Sequence, residues 1–104
     1  MNFHCYGNLW IRPPNFASKS EPDPLDELPE AKKLYMDFAE NAPVPSGGLV
    51  TNAVYAVDYT ASGEASDWFL LKKNIFSWSP ELGTNEHSTD DFYIDQSSQR
   101  SALI

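Results

Sequence analysis

Two neighbouring segments of the sequence decide the predicted fold: Tyr59-Thr-Ala-Ser-Gly-Glu-Ala-Ser-Asp-Trp68 and Ile75-Phe-Ser-Trp-Ser-Pro-Glu-Leu-Gly83. The first contains a turn and then the start of a short helix, which we predict over residues 65–73. Acidic residues lie in the first turn of this helix and lysines in its last turn, as the helix dipole favours, and Asn74 is a suitable C-cap. The second segment reads as a strand, so the two together predict an α/β fold.

The predicted strand over residues 75–82 separates two kinds of side chain, because successive residues of a strand point to opposite faces of a sheet. Aromatic and apolar residues occupy one face, whereas Glu81 shares the other with Ser77 and Ser79. Pro80 has no N–H to donate, so strand pairing is expected to stop near it. Glu81 is therefore predicted at the end of a strand, where loops and functional sites form.

Further elements are predicted upstream of these segments. Residues 1–11 are mostly apolar and aromatic, which predicts a buried strand followed by a turn or a short second segment. The β-branched and aromatic residues of 49–58 indicate another strand or an extended segment. A helix is predicted to start at Pro24 or Pro29 and to end near residue 40, with one apolar stripe: Ala31, Leu34, Tyr35 and Phe38. We expect the two helices, at approximately 24–40 and 65–73, to cover a mixed sheet.

The composition limits the classes of function. The chain has 15 acidic and 7 basic residues and a formal net charge of −8. It therefore repels polyanions, and neither nucleic acid nor an anionic membrane surface is an expected partner. No apolar run approaches the roughly 20 residues that span a bilayer. Cys5 is the single cysteine, which we expect to be a small buried hydrophobic residue.

Four short motifs occur in an order that is informative: Phe3-His4-Cys5-Tyr6, Tyr59-Thr-Ala-Ser-Gly63, Asp67-Trp68 and Pro80-Glu81-Leu-Gly83. With the predicted amphipathic helix between the first two motifs, the chain resembles the C-terminal half of a zinc metallocarboxypeptidase of the M14 family, the pancreatic carboxypeptidase type. The resemblance covers nearly the whole length of the chain. It implies a partial carboxypeptidase-like mixed sheet and hydrolysis of C-terminal peptide bonds, with a peptide or protein C-terminus as the substrate.

The resemblance also implies roles for individual residues. His4 would be a zinc ligand, and Glu81 would be the catalytic glutamate. The catalytic zinc of such an enzyme takes three protein ligands, and a nearby carboxylate moves the proton that the leaving amine requires. Tyr59 would also be a catalytic residue, and its phenol would close over the substrate and hydrogen-bond the peptide. The residues implied to contact the substrate are Tyr6, Tyr59, Ser66 and Asp67.

Two features of the family pattern have no counterpart in this sequence. The family's other zinc ligands form a His-x-x-Glu motif, which does not occur in residues 1–104. The family's carboxylate-binding arginine is also missing, since Arg12 and Arg100 stand at other positions. We therefore expect residues 1–94 to be the C-terminal portion of a catalytic domain that is inactive alone, with 95–104 as a polar tail. An upstream segment or a partner is expected to cover the sheet edge at residues 1–6.

Two alternatives remain open at this point. The chain could be a non-catalytic carboxypeptidase-like module with a structural or binding role, or it could belong to a deacylase or polyglutamate-trimming relative that shares the zinc site. The carboxypeptidase prediction carries two structural expectations. The Cys5–Tyr6 peptide bond should be cis, and His4 and Glu81 should face one cavity with Tyr59 at its rim.

Overall fold

The computed structural model of the protein describes residues 1–41 and 49–83. Within these ranges the strands are β1 (His4–Cys5), β2 (Leu9–Ile11), β3 (Leu49–Thr51) and β4 (Ser79–Leu82). The α-helices are α1 (Pro29–Asn41), α2 (Ala53–Ala56) and α3 (Ala65–Lys73), and a 3-10 helix occupies Pro24–Glu27. The predicted end of the domain at residue 94 and the predicted polar tail at 95–104 lie outside the described residues, as does the second histidine, His87.

The four strands form one mixed sheet in the order β1-β4-β2-β3. Strand β4 runs parallel to β1 and antiparallel to β2, while β2 runs parallel to β3. With helices packed on this sheet, the predicted α/β class is confirmed. No helix in residues 1–41 or 49–83 is long and apolar enough to cross a membrane.

The core is an aromatic cluster between helix α1 and strand β4. Trp78 is 1% exposed, and its ring lies 5.1 Å from that of Tyr35 and 4.7 Å from that of Phe38. The Tyr35 hydroxyl donates a hydrogen bond to the carbonyl of Ser77 at 3.0 Å and accepts one from its N–H at 3.1 Å. Helix α1 is thereby fixed to the segment that leads into β4.

The predicted helix near residues 24–40 is present, and both candidate prolines begin an element. Pro24 begins the 3-10 helix, which the Asp23 side chain caps by accepting a hydrogen bond from Leu25 N at 2.9 Å. Pro29 begins α1. Tyr35 is buried as predicted, whereas Leu34 is 56% exposed. The apolar stripe of α1 that packs on the sheet is therefore narrower than predicted.

Helix α3 has the predicted bounds, but its buried face differs from the prediction. The left-handed Asn74 caps the helix as expected. The pattern of this helix predicts that its buried side contains Trp68, Phe69 and either Leu71 or Leu70. Leu70 is buried, together with Ser66 and Asp67, whereas Trp68, Phe69 and Leu71 are exposed. The reason is a set of hydrogen bonds from Asn15 to the Asp67 carboxylate, which turns the polar side of the helix inward.

The strand predictions were too long. Only residues 49–51 of the predicted extended segment 49–58 form a strand, because Asn15 Oδ1 accepts a hydrogen bond from Ala53 N and helix α2 starts there. Residues 75–78 do not join β4. Residues 1–11 form β1 and a short second strand, β2, as predicted, but β1 is not buried. Residues Met1, Phe3 and His4 are exposed, and Cys5 is half-buried rather than fully buried.

Pro80 does not end the strand pairing, contrary to the prediction. It lies within β4 opposite Trp10 of β2, and pairing with β1 occurs beyond it, at Glu81 and Leu82. The missing N–H therefore does not interrupt the pairing with β1. The peptide bond between Cys5 and Tyr6 is cis, as the resemblance predicts.

Candidate functional site

One cavity of about 310 Å³ brings together four of the predicted site residues, which are far apart in the sequence. His4 comes from β1, Glu81 from β4, Ser66 from α3, and Tyr59 from the loop before α3. The expectation that His4 and Glu81 face one cavity is thus met. The remaining lining residues are Asn2, Ile11, Ala53, Val57, Glu64, Ala65 and Ser79.

The sheet register explains why His4 and Glu81 meet. His4 is directly opposite Glu81 in the parallel pair of β1 and β4. Residues directly opposite on neighbouring strands point to the same face, and so do residues two apart on one strand. Ser79 and Glu81 accordingly line the same cavity, which agrees with the prediction that they share one polar face of the strand.

The environment of Glu81 changes the acidity of its carboxyl group. Burial raises the pKa of Glu81 above its ordinary value, and the nearby His4 opposes this only in part. A carboxyl group with a raised pKa exchanges a proton more readily near neutral pH than an ordinary glutamate does. Glu81 is therefore suited to transfer a proton within the cavity.

Tyr59 and Ser66 line the cavity from a loop and from helix α3, respectively. Tyr59 is 62% exposed although it lines the cavity, so its ring lies at the rim, as expected. Ser66 is buried in the first turn of α3, and its hydroxyl donates a hydrogen bond to Glu64 Oε2 at 3.2 Å. Tyr59 is therefore the more accessible of the two side chains, whereas Ser66 is set in the wall at the start of the helix.

The other two predicted site residues do not line this cavity. Asp67 is buried, and its two carboxylate oxygens accept hydrogen bonds from the backbone N–H of Asn15 at 3.1 and 3.0 Å. Burial raises the pKa of Asp67, and these hydrogen bonds partly offset the rise. Asp67 thus joins helix α3 to the loop after β2. Tyr6 is half-buried and is absent from the cavity wall.

Glu64 is a cavity residue that the sequence reasoning did not identify. The sequence placed it in the first turn of α3, where an acidic residue is ordinarily explained by the helix dipole. In the structure it is the N-cap residue but makes no side-chain capping bond. Its carboxylate instead accepts a hydrogen bond from Asn15 Nδ2 at 2.8 Å. Asn15 was not predicted to matter, and no local signal in the sequence marks this pairing.

The described residues do not form a complete metal site. Across residues 1–41 and 49–83, no three His, Cys, Asp or Glu side chains are grouped so that they could hold a metal ion. His4 is the cavity's single imidazole, and a catalytic zinc takes three protein ligands. The described residues alone therefore do not fit a catalytic zinc.

No protein-family model matches the sequence, and no curated protein matches it.

The space occupied by the Glu81 carboxylate depends on Gly7. A Cβ atom added at Gly7 would lie 2.3 Å from Glu81 Oε2, which is closer than any tolerated contact. The far end of a glutamate side chain can rotate away, at about 0.5–1.5 kcal/mol for an unfavourable rotamer. We therefore expect the Gly7→Ala variant to fold with its Glu81 carboxylate displaced.

A double-mutant cycle with Glu81→Ala tests this contact. Gly7→Ala should lower the free energy of unfolding, measured by chemical denaturation, by about 1 kcal/mol more in the wild-type background than in the Glu81→Ala background. Gly63→Ala is the control, because Gly63 has a positive φ of 79° but nothing lies within 4 Å of an added Cβ. Its cost should be the same in both backgrounds. An equal cost of Gly7→Ala in both backgrounds would contradict the contact.

Proposed function

We propose that this chain contributes part of the catalytic site of a zinc-dependent metallocarboxypeptidase, which hydrolyses C-terminal peptide bonds. The supporting observation is that His4, Tyr59, Ser66 and Glu81 line one cavity. The resemblance to M14 carboxypeptidases assigns a site role to all four of these residues.

In this proposal Glu81 performs the proton transfers of hydrolysis. A water oxygen adds to the carbonyl carbon of the C-terminal peptide bond while the Glu81 carboxylate accepts one of its protons. The carbon–nitrogen bond then breaks, and Glu81 returns that proton to the leaving amine nitrogen. The raised pKa of Glu81 supports this role, because the group must first accept and then release a proton.

Tyr59 and Ser66 would both contact the substrate. The Tyr59 phenol lies at the rim of the cavity, on a loop that contains Gly63, and could close over a bound peptide and exclude water. Ser66, in the wall, would contact the side chain of the substrate's last residue. Asp67 would act indirectly, since its hydrogen bonds to Asn15 hold the helix that carries Ser66.

The proposal requires zinc ligands in addition to those of the described residues. His4 supplies one imidazole to the cavity, and the His-x-x-Glu motif of the M14 family is absent from residues 1–104. We propose that polypeptide outside residues 1–104 provides the other ligands, either on the same chain or on a partner. Strand β1 is an outer strand of the described sheet, so a further strand beside it would bring such ligands close to His4.

A second candidate is a non-catalytic carboxypeptidase-like module with a structural or binding role. The observation that favours it is the same shortage of metal ligands among the described residues. In that case the cavity would bind a peptide without cleaving it. The two candidates differ in whether a complete zinc site ever forms around His4.

Zinc analysis distinguishes these candidates. The 104-residue chain alone is expected to bind zinc below one ion per chain, because one histidine cannot complete the coordination. For ligands on the same polypeptide, the coding sequence upstream of Met1 should contain, in frame, a His-x-x-Glu motif and an arginine. The longer protein, which consists of this upstream segment and residues 1–104, should bind one zinc ion, as measured by elemental analysis. The His4→Ala variant of that protein should bind none.

The outcomes that contradict the proposal are specific. A longer protein that binds no zinc, or that keeps its zinc after His4→Ala, would exclude His4 as a ligand and favour the non-catalytic module. One tightly bound zinc on the 104-residue chain alone would contradict the need for outside ligands. His87→Ala is a matched histidine control, and it should leave the zinc content of the longer protein unchanged.

A further inference from the structure

We infer that two copies of this chain associate through one exposed side of helix α3, which we call the outer face. The outer face consists of six residues: Phe16, Glu27, Glu30, Trp68, Leu71 and Lys72. The inference goes beyond the proposed function and does not depend on it, because none of the proposed site residues in the cavity belongs to this face. A second copy is the expected occupant because the charges of the face complement themselves under two-fold symmetry.

Helix α3 presents large apolar side chains to solvent. Trp68 is 50% exposed and Leu71 is 43% exposed. Both line a groove of about 490 Å³ together with Phe16, which is 45% exposed. Adjacent exposed apolar residues of this size are typical of interaction sites, and tryptophan is among the residues that contribute most to binding. The apolar part of the outer face therefore suits contact with another protein surface.

Leu71 lies between a basic and an acidic part of the outer face. The groove beside Phe16 contains Lys72. Leu71 also lines a second groove, of about 350 Å³, between α3 and the start of α1, and this groove contains Glu27 and Glu30. Opposite charges thus flank the apolar centre on its two sides.

These charges are not neutralised within the described part of the chain. The four ion pairs there involve other residues: Arg12 with Asp23, Lys19 with Asp58, Lys32 with Asp26, and Lys33 with Asp37. Lys72, Glu27 and Glu30 are exposed and take part in none of them. Each therefore remains able to pair with an opposite charge on a second molecule.

Two further carboxylates border the groove that contains Lys72, but they are directed away from it. Glu64 and Asp67 both accept hydrogen bonds from Asn15, which is 1% exposed. Their oxygens are thereby held toward the protein interior, and neither forms an ion pair with Lys72. The basic character of this side of the outer face is consequently kept.

The arrangement is self-complementary. A two-fold axis in the plane of the interface, along the line between the basic and acidic sides, places Lys72 of each copy against Glu27 and Glu30 of the other. Every pairing of opposite charges then occurs twice, and Leu71 of one copy meets Leu71 of the other near the axis. Complementary charges of this kind fix the orientation in which two surfaces associate.

The net charge of −8 opposes association at long range. At about 0.15 M salt, however, charges more than about 8 Å apart are largely screened, whereas charges in direct contact are screened much less. We therefore expect a weak dimer, with a dissociation constant on the order of 10–100 μM. At low micromolar concentrations the chain would be mostly monomeric, and Trp68 would be exposed.

Sedimentation equilibrium of the 104-residue chain at about 0.15 M salt tests the inference. Leu71→Asp places two carboxylates against each other near the axis and should raise the dissociation constant by at least about 10-fold. Leu34→Asp is the matched control, because Leu34 is an exposed leucine of α1 outside the outer face. It should change the dissociation constant by less than about 2-fold. Circular dichroism would verify that each variant is folded.

Charge reversal tests the orientation of the two copies. Lys72→Glu and Glu30→Lys should each raise the dissociation constant by at least about 10-fold, because each creates two like-charge contacts in its own dimer. An equimolar mixture of the two variants should associate at least as tightly as the unmodified chain, since every contact between unlike variants is again between opposite charges. Lys33→Glu is the control, because it reverses an exposed lysine of α1 outside the face.

Three results would overturn the inference. The first is a chain that stays monomeric up to about 1 mM. If Leu71→Asp also lowered the thermal midpoint of that monomer far more than Leu34→Asp, the face would be covered within a single chain. The second is a dimer that Leu71→Asp and both charge reversals leave unchanged, which would place the contact elsewhere. The third is a mixture of folded Lys72→Glu and Glu30→Lys variants that does not associate.

Discussion

Replacing Trp78 with alanine is expected to lower the free energy of unfolding by about 3–5 kcal/mol, the usual cost of removing a buried aromatic side chain. Trp78 is 1% exposed and has ring contacts with Trp10, Tyr35, Phe38 and Phe76. Small domains have total stabilities of about 5–15 kcal/mol, so the variant should be largely unfolded under mild denaturing conditions. Chemical denaturation followed by circular dichroism measures the change.

Trp68 provides a matched control for this prediction. It is 50% exposed, and its ring contacts are Phe69 and the Lys73 ammonium group, so Trp68→Ala should cost about 1 kcal/mol or less. Trp78→Phe should fall between the two alanine variants. It retains part of the aromatic packing and removes an indole Nε1 that has no hydrogen-bond partner among the described residues. Equal losses for Trp78→Ala and Trp68→Ala would contradict the assignment of the core.

The second large effect concerns catalysis by Glu81. In a protein that joins residues 1–104 to a segment with the remaining zinc ligands, Glu81→Gln should lower kcat/KM by about 10²–10⁴-fold. Glutamine has nearly the same shape but cannot accept the proton that glutamate transfers. Release of the C-terminal amino acid from a peptide measures the rate, and elemental analysis should find the zinc still bound.

Two comparisons make the Glu81 prediction specific. Glu40→Gln removes the same charge from an exposed position on α1 and should leave kcat/KM unchanged. Because the role proposed for Glu81 is in the chemical step, the loss should appear in kcat rather than in KM. A Glu81→Gln variant with full activity would exclude Glu81 as the proton-transferring group. A loss confined to KM would instead assign it a role in binding.

The elements that could be predicted from the sequence are those specified by local chemistry. Helix α3 has its predicted bounds because a left-handed Asn74 and two terminal lysines end it. The face shared by Ser79 and Glu81 was predictable because strand periodicity does not depend on the neighbouring strands. His4 and Tyr59 could be associated with Glu81 only through the resemblance, since no local pattern connects residues so far apart.

The predictions that failed depended on contacts between distant residues. Asn15 turns the polar side of α3 inward through Asp67, fixes Glu64 in the cavity wall, and accepts a hydrogen bond from the start of α2. A single buried asparagine thus determines which side of one helix is buried and where another helix begins. The local sequence pattern indicated that Trp68 and Phe69 would be buried, but it carries no information about a side chain 52 positions away from Asp67.

The sheet order has a consequence for synthesis of the protein. Strands β1 and β2 are made first, yet β4, the last described strand, occupies the place between them. A nascent chain on the ribosome therefore cannot complete this sheet until residues 79–82 have left the exit tunnel, and pairings over such long sequence distances form slowly. Until then the edges of β1 and β2 that will contact β4 are open to chaperones or to other chains. His4 and Glu81 consequently come into contact across the sheet only after β4 has been synthesised and has paired with β1.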